Sequence, residues 1–328
     1  FLPIYLGPTL AMALAWLVLR KMIRISRNNR ITSIADFIGS RYGKSPMLAG
    51  LVTLITVVGI VPYIALQLKA VAVGYAVLTT PLGESLLRQG PWWGDSTLYF
   101  ALALAGFTIV FGARHLDASE RHEGMVAAIA FESIVKLVAF LAVGLFVTYG
   151  LFDGVGDIYA RVRAVPALAG LVHAGGGGAF AWGQWFALLL LSMLSVIFLP
   201  RQFQVMVVEN VDEQHLRRAA WVFPLYLWLI NLFVLPIALG GLLVFGVGRM
   251  DPEGFVLSLP LAHGQPLLAL LAFVGGLSAA TGMVIVETIA VASMVCNDLV
   301  MPLLLRSRRV GLRAAGDLTQ LILGIRRV

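Results

Sequence analysis

The sequence predicts an all-α integral membrane protein, a helical bundle of about seven transmembrane helices. Three observations predict this fold class. Seven long apolar stretches run through the 328 residues, only 12% of the residues are charged, and the basic residues concentrate in alternate loops. A soluble domain carries about 25% charged residues. Lipid is therefore the predicted solvent for most of the chain.

The seven apolar stretches lie near residues 2–19, 48–80, 98–112, 125–152, 184–200, 222–247 and 266–305. Most of them reach the ~20 residues that an α-helix needs to cross a ~30 Å hydrocarbon core. The third is a few residues short. The second and seventh are longer than a perpendicular crossing requires, and they contain Pro62 and Gly275-Gly276. We expect these two spans to be strongly tilted or bent.

The loops differ sharply in basic charge. Eighteen of the 24 Lys and Arg residues lie in residues 20–46, 113–124, 201–220 and 306–328, and four lie in the loops between these. The positive-inside rule places the basic loops in the cytoplasm, with the N-terminus outside and the C-terminus inside. The net charge of +7 then reflects topology and attraction to an anionic lipid bilayer. It does not indicate a nucleic-acid partner.

The chain reads as one membrane domain, residues 1–328, without an internal linker. Within it, residues 31–43 predict a short cytoplasmic helix at the interface, with Ser33 as a capping hydroxyl and Gly43 at the end. Residues 306–328 are a basic cytoplasmic segment that leads toward a further helix. Both ends of the sequence predict an internal piece of a longer protein, truncated on each side.

Glu132 and Lys136 are the first candidate functional pair. They lie four residues apart in the fourth span, so they share one helix face. Ionisable groups at this depth are costly and face a bundle interior or water. Two readings stay open. The pair either forms an internal ion pair that fixes helix packing, or it takes part in cation coupling or solute contact.

Glu287 is the second candidate, near the middle of the seventh span. Ser278, Thr281 and Thr288 lie on nearby turns, and no basic residue of that span can pair with the carboxylate. An isolated charge in hydrocarbon is costly, so this carboxyl group can bind and release a proton during transport. The alternative is a neutral Glu that hydrogen-bonds to a neighbouring helix.

Other polar residues give weaker signals. Gln202 and Gln204, with Pro200, close the fifth span, where they either shape a broken helix or terminate it. Lys69 is close enough to the outer interface to snorkel. The single cysteine excludes an internal disulfide. No metal-ligand spacing, phosphate loop or catalytic pair is visible, so neither an enzyme activity nor a resident cofactor is predicted for this chain.

Several motifs together resemble the sodium/solute symporter family. The chain is most similar to the version fused ahead of bacterial sensor histidine kinases. The motifs are Ser33-Ile34-Ala35-Asp36-Phe37, Arg41-Tyr42-Gly43-Lys44, Pro62-Tyr63-Ile64-Ala65-Leu66-Gln67-Leu68-Lys69, His122-Glu123-Gly124-Met125, Glu132-Ser133-Ile134-Val135-Lys136-Leu137, Leu199-Pro200-Arg201-Gln202-Phe203, Glu209-Asn210-Val211-Asp212-Glu213, Gly275-Gly276-Leu277-Ser278-Ala279-Ala280-Thr281-Gly282 and Asn297-Asp298-Leu299.

The resemblance implies a partial leucine-transporter-type inverted-repeat fold. The seven spans then correspond to the family's core helices two to eight, with the first helix upstream and the ninth and tenth downstream. In this family the eighth helix completes a sodium site with a small residue and two hydroxyls. The small residue corresponds to Ala279, but the hydroxyl positions fall on Gly282 and Met283. Thr281 lies one position away and is the remaining candidate ligand.

The coupling ion is therefore Na⁺ or H⁺, and the loss of two hydroxyls favours H⁺ through Glu287 or sensing without coupling. The leading hypothesis is cation-coupled transport or sensing of a small polar solute, such as the amino acids proline or histidine. On this hypothesis the chain is the membrane input domain of a sensor histidine kinase in the bacterial inner membrane, with a response regulator as downstream partner. A stand-alone sodium or proton/solute symporter is the alternative. A seven-span receptor is third, but residues 266–305 lack the Schiff-base lysine of a retinal protein.

Overall fold

The structure is a computed structural model that describes residues 2–80, 94, 96–112, 123–172, 182–248 and 250–306. These residues contain helices and no β-strand. The α-helices, in chain order, are α1 (Leu2–Asn29), α2 (Ile34–Arg41), α3 (Pro46–Thr79), α4 (Ser96–Gly112), α5 (Glu123–Leu145), α6 (Val155–Ala164), α7 (Pro166–Val172), α8 (Trp182–Phe198), α9 (Pro200–Phe203), α10 (Glu213–Asn231), α11 (Val234–Phe245), α12 (Phe255–Ala262), α13 (Pro266–Met294) and α14 (Met301–Arg306). Short π-helical turns extend α5, α9 and α13 at Phe146–Leu151, Gln204–Val208 and Val295–Val300.

The helices confirm an all-α membrane bundle. Four segments are long and apolar enough to cross a membrane alone, namely Pro46–Thr79, Val126–Leu151, Glu213–Phe245 and Pro266–Leu303. Two bent segments, α1 and the α8–α9 pair, raise the number of candidate crossings among the described residues to as many as six. At the place of the third predicted span the described residues contain a shorter apolar helix, Ser96–Gly106.

The short helix predicted over residues 31–43 is present as α2. The Ser33 hydroxyl accepts a hydrogen bond from the Asp36 backbone N–H at 3.0 Å, which caps the helix. After α2 the chain turns at Gly43, whose φ of +71° lies in the left-handed region. Glycine has no Cβ and adopts this conformation without strain. One side of α2, including Ile34 and Ala35, is buried.

Replacing Ser33 with Ala is expected to destabilise α2 by about 1 kcal/mol, because the Asp36 N–H loses its acceptor. Ser33 Oγ also donates to Asp298 Oδ2 at 3.4 Å, so a contact with the α13 end is lost as well. Amide hydrogen exchange over residues 34–41 measures the effect. Ser40→Ala is the control, since Ser40 Oγ donates only to the Phe37 carbonyl within α2. Equal exchange in the two variants would contradict this account.

Two of the basic loops and the end of α13 meet at one end of the bundle. Glu213, at the start of α10, accepts hydrogen bonds from Arg20 at 3.0 Å and Arg24 at 2.8 Å. Asn297 Nδ2 donates to Thr32 Oγ1 at 3.3 Å, which brings the end of α13 to the same place. This clustering agrees with the concentration of basic residues in alternate loops. Residues 113–122 and the predicted cytoplasmic segment beyond 306 lie outside the described residues.

The two long spans that contain Pro62 and Gly275-Gly276 form continuous helices. α3 runs through Pro62 and α13 runs through Gly275-Gly276 without interruption. A proline removes one hydrogen bond, and the neighbouring bonds persist where no water competes for them. A break at a proline occurs instead at Leu199–Pro200, where α8 and α9 differ in direction by 49°. Leu199 is extended, as the residue before a proline prefers. Of the two readings left open for Pro200, the broken helix is the one observed.

Candidate functional site

The candidate site forms where α5 and α13 pack against each other in an antiparallel arrangement. Gly275 of α13 lies against Ala139 and the Lys136 backbone of α5, and Gly282 lies against Glu132. The two glycines are seven residues apart, so they share one face of α13. Their missing side chains let the two backbones approach closely, as small residues do between membrane helices. Both candidate charges of α5 are therefore at a helix–helix contact.

Glu132 occupies a notch created by Gly282. A Cβ atom at position 282 would lie 2.6 Å from Glu132 Cδ and 2.9 Å from Oε1, so the carboxyl group fills the volume of a missing side chain. Among the described residues, no hydrogen bond or ion pair at contact distance involves this carboxyl group. The charges of Lys136 and Arg201 are near enough to act on it through space.

Lys136 points toward α10 instead of toward Glu132. Its Nζ lies 6.0 Å from the centroid of the Tyr226 ring, at the outer range of a cation–π contact. The Tyr226 hydroxyl donates to the Ser133 backbone carbonyl at 3.2 Å, which holds the ring against α5. Within the described part of the chain, Lys136 has no carboxylate at ion-pair distance. Glu132 thus contacts α13, whereas Lys136 contacts α10.

A cavity of about 580 Å³ opens beside Lys136, between α3, α5, α10 and α13. Its volume lies within the range of small-molecule sites, about 300–1,000 Å³. Most of its lining is apolar, and the polar side chains are few: Tyr5, Gln67, Lys136, Tyr226, Asn231 and Glu253. The Asn231 amide Nδ2 donates to the Leu227 carbonyl at 2.6 Å. Its Oδ1 is buried and, among the described residues, has no hydrogen-bond partner.

Glu287 lies deep in the bundle, with 2% of the residue exposed. Its carboxyl group faces the Arg201 backbone N–H, close to the point where α9 restarts after the helix break. A helix N-terminus favours negative charge because its N–H groups are unpaired. Glu287 Oε1 nevertheless has no hydrogen-bond partner among the described residues. Arg201 is the basic side chain whose charge acts on Glu287, Glu132 and Lys136 alike.

The positions predicted for a cation site fall in two different surroundings. Ala279 lines the 580 Å³ cavity. Thr281 Oγ1 donates to the Leu277 carbonyl at 2.7 Å within α13, and Ser278 is half-buried one turn before Gly282. Oxygen atoms from other helices contact both positions that lack hydroxyls. The Glu132 carboxyl group fills the notch at Gly282, and the Tyr63 hydroxyl donates to Met283 Sδ at 3.3 Å.

Gln202 and Gln204 lie apart from this cavity. Gln204 is buried in the π-helical turn after α9, where its Nε2 donates to Glu209 Oε1 at 3.0 Å. Gln202 is half-buried in α9. Lys69 is exposed on α3. The Gln204 contact holds together the turn that leads to α10, so its observed surroundings are structural.

A smaller cavity of about 270 Å³ lies at the end of the bundle that carries the basic loops. Asp36, Lys44, Asn297 and Asp298 contribute to its lining. Burial raises the pKa of Asp36, and the Thr32 N–H and the Lys44 charge oppose this shift. Thr53 Oγ1 donates to Asp298 Oδ2 at 3.2 Å. These contacts tie α2, α3 and the end of α13 together.

Sequence reasoning did not single out Asn231, Gln67, Tyr226 or the partner of Glu132. Asn231 and Gln67 are polar residues inside the sixth and second apolar stretches. A polar residue within an apolar stretch was the sequence feature that could have identified them. Tyr226 carries no such signal, because aromatic residues are common in membrane helices. The Glu132–Gly282 contact joins residues 150 positions apart, and nothing local to either residue indicates it.

Comparison with known proteins gives one informative relative. The chain is similar to an uncharacterized symporter, YhjB, of Bacillus subtilis (strain 168), with 26% identity over 236 residues. The match covers 71% of this chain but only 43% of YhjB, so the chain spans less than half of that relative's length. No family model matches the chain, and no solved structure matches it. The similarity therefore supports a symporter-like membrane protein. The predicted relation to sensor kinases stays a prediction.

Proposed function

We propose that this chain is the solute-binding membrane domain of a cation-coupled transporter. The observation that carries the proposal is the 580 Å³ cavity, whose mostly apolar lining includes Lys136, Gln67 and Asn231. Polar groups at membrane depth are costly and mark solute or ion pathways. The solute is a small polar molecule, and amino acids such as proline or histidine are the first candidates. Residues 1–328 need no catalytic group for this role.

The similarity to a symporter and the helix architecture support this proposal. The broken α8–α9 span brings a helix N-terminus to the buried carboxyl group of Glu287. Discontinuous helices whose ends face ions or substrates are a recurring device of secondary transporters. We propose H⁺ as the coupling ion, with Glu287 as the group that carries it. The absence of hydroxyls at Gly282 and Met283 supports H⁺ over Na⁺.

We further propose that the domain lies in a bacterial inner membrane with its basic end in the cytoplasm. The contacts of Glu213 with Arg20 and Arg24, and of Asn297 with Thr32, gather basic loops at one end. The positive-inside rule assigns such an end to the cytoplasm. The N-terminus of the described chain is then outside and its C-terminus inside.

A second proposal concerns signalling in the parent protein. The motifs from Ser33 to Asn297 resemble the symporter-like domains that precede sensor histidine kinases, so we propose that the same cavity reports solute to a downstream kinase and response regulator. Solute-dependent autophosphorylation of the full-length parent protein tests this role. A parent protein that takes up solute and has no kinase would leave the plain symporter as the function.

Transport itself is tested by solute counterflow. The full-length parent protein, reconstituted into liposomes loaded with one unlabelled L-amino acid, is expected to accumulate the same labelled amino acid transiently from outside. Liposomes without protein are the control. The absence of counterflow with all twenty L-amino acids would contradict an amino-acid substrate.

A further inference from the structure

We infer that the exposed surface shared by α1 and α10 holds one anionic phospholipid, at the end of the bundle that carries the basic loops. Its phosphate group binds to Arg20, Arg24 and Arg217, and Trp16 and Trp221 lie one helical turn deeper, beside the start of the acyl chains. This is a discrete site for one lipid, which differs from a general attraction of basic loops to an anionic bilayer. It does not depend on which solute the protein carries.

The first observation is that one carboxylate fixes two arginines of the site. Glu213, the first residue of α10, accepts hydrogen bonds from Arg20 Nε at 3.0 Å and Arg24 Nε at 2.8 Å, near the end of α1. Arg24 Nη2 adds a second bond at 2.9 Å. Because α1 and α10 also pack against each other, the two helices run antiparallel. Glu213 thus holds two guanidinium groups in place where the helices meet.

The second observation is that these arginines keep free donors. A guanidinium group has five N–H donors, and Glu213 accepts only one bond from Arg20. The terminal nitrogens of Arg20 have no hydrogen-bond partner in the described part of the chain. The Arg20 Cζ atom lies 4.5 Å from the centroid of the Trp16 ring, so the ring covers one face of the guanidinium group. The remaining coplanar N–H groups match two oxygens of a phosphate.

Arg217 gives the site its excess of positive charge. It follows Glu213 by four residues, so it lies on the same face of α10. Arg217 is exposed, and no described carboxylate lies at ion-pair distance from it. The three arginines and Glu213 together carry a net charge of +2. This charge favours an anionic lipid over a zwitterionic one, whose ammonium group it repels.

The third observation is a tryptophan at the same depth on each helix. Trp16 precedes Arg20 by four residues and Trp221 follows Arg217 by four. Since the helices are antiparallel, both steps lead about 6 Å away from the basic end. The two residues are 41% and 80% exposed, and Leu225, one turn further along α10, is 55% exposed. Tryptophan prefers the headgroup level of a membrane. The apolar surface beyond it fits acyl chains, which a soluble anion lacks.

The experiment measures thermal unfolding of the purified full-length parent protein in a neutral detergent. Phosphatidylglycerol and phosphatidylcholine with identical acyl chains are added at increasing mole fraction. A basic residue near an anionic surface is worth roughly five-fold in affinity, so we expect phosphatidylglycerol to stabilise at a mole fraction roughly ten-fold lower or less. Arg217→Gln is expected to reduce this preference by roughly five-fold, and Arg217→Lys to retain it. Equal stabilisation by the two lipids would overturn the inference.

Arg218→Gln is the matched control. Arg218 is the next residue of α10, is also exposed, and loses the same charge in this variant. Its position is turned by about 100° around the helix axis relative to Arg217, away from α1. We expect Arg218→Gln to keep the wild-type preference for phosphatidylglycerol. If it reduces the preference as much as Arg217→Gln does, the attraction is diffuse and no discrete site exists.

Glycerophosphoglycerol, the headgroup without acyl chains, distinguishes a lipid from a free phosphate compound. We expect it to leave the unfolding temperature unchanged at the total concentration at which phosphatidylglycerol has its full effect. Stabilisation by the headgroup alone at that concentration would identify a site for soluble anions and would refute lipid binding. The proposed transport function is tested separately by counterflow and stands or falls without this site.

Discussion

Replacing Glu287 by Gln is expected to abolish solute accumulation driven by a pH gradient while leaving counterflow intact. Glu287 is 2% exposed, and its Oε1 has no hydrogen-bond partner in the described chain. Glutamine has nearly the same shape, so the packing of α13 against α9 is preserved. An amide cannot take up and release a proton, however, so the driving step is lost. We expect proton-driven accumulation to fall to the level of liposomes without protein.

The measurement is uptake of a labelled solute by vesicles under an imposed pH gradient or an imposed sodium gradient. Wild-type and Glu287→Gln parent proteins are compared at equal amounts of folded protein. Asp157→Asn is the control, because Asp157 is a carboxylate of α6 that pairs with Arg161 at 2.9 Å outside the membrane spans. Full uptake driven by sodium alone, unchanged in Glu287→Gln, would show that another group carries the coupling.

The largest effect on stability is expected from Gly241→Val. A side chain at this position of α11 would overlap the ring of Phe255 on α12. That ring cannot move aside easily, because Phe255 is 1% exposed and stacks on Phe245 with ring centroids 5.7 Å apart. Overpacking of a well-filled core costs about 1–3 kcal/mol and occasionally more. We therefore expect a markedly lower yield of folded protein and a lower unfolding temperature.

Gly106→Val is the matched control for this substitution. Gly106 also lies in an apolar helix, α4, but a Cβ atom there would meet no other atom within 4 Å. Both variants add the same isopropyl group and the same β-branching, so the difference between them isolates the clash with Phe255. Size-exclusion profiles and thermal unfolding in detergent report the result. Similar stability for the two variants would mean that α11 and α12 repack without cost.

Part of the candidate site could be predicted and part could not. The sequence singled out Glu132, Lys136 and Glu287 because charge at membrane depth is rare and conspicuous. It did not show that Glu132 and Lys136 turn to different helices. The spacing of four residues places them on one face, but the direction of each side chain depends on what the neighbouring helix offers. The missing side chain of Gly282 leaves space for the Glu132 carboxyl group, and the Tyr226 ring lies beside the Lys136 ammonium group.

The helix break gives the same lesson. Pro62, Pro200 and Gly275-Gly276 were all candidate breaks by residue type. Only Pro200 interrupts its helix, with Leu199 in extended conformation. A proline within a long apolar helix loses one backbone hydrogen bond, and the turns on either side keep theirs. Gly275 serves instead as the close contact with Ala139. Residue type limits where a break can occur, while packing decides which one forms.

The sequence by itself determined the solvent, the helical class, the alternation of basic loops and the start and end of α2. These features depend on hydropathy, charge and local capping, which act over a few residues and do not require knowledge of distant parts of the chain. Only the tertiary structure decided the notch at Gly282, the position of Lys136 beside the Tyr226 ring and the cavity that Lys136 and Asn231 line. Those features depend on contacts between helices far apart in sequence, where the shape of one surface selects the side-chain direction on another.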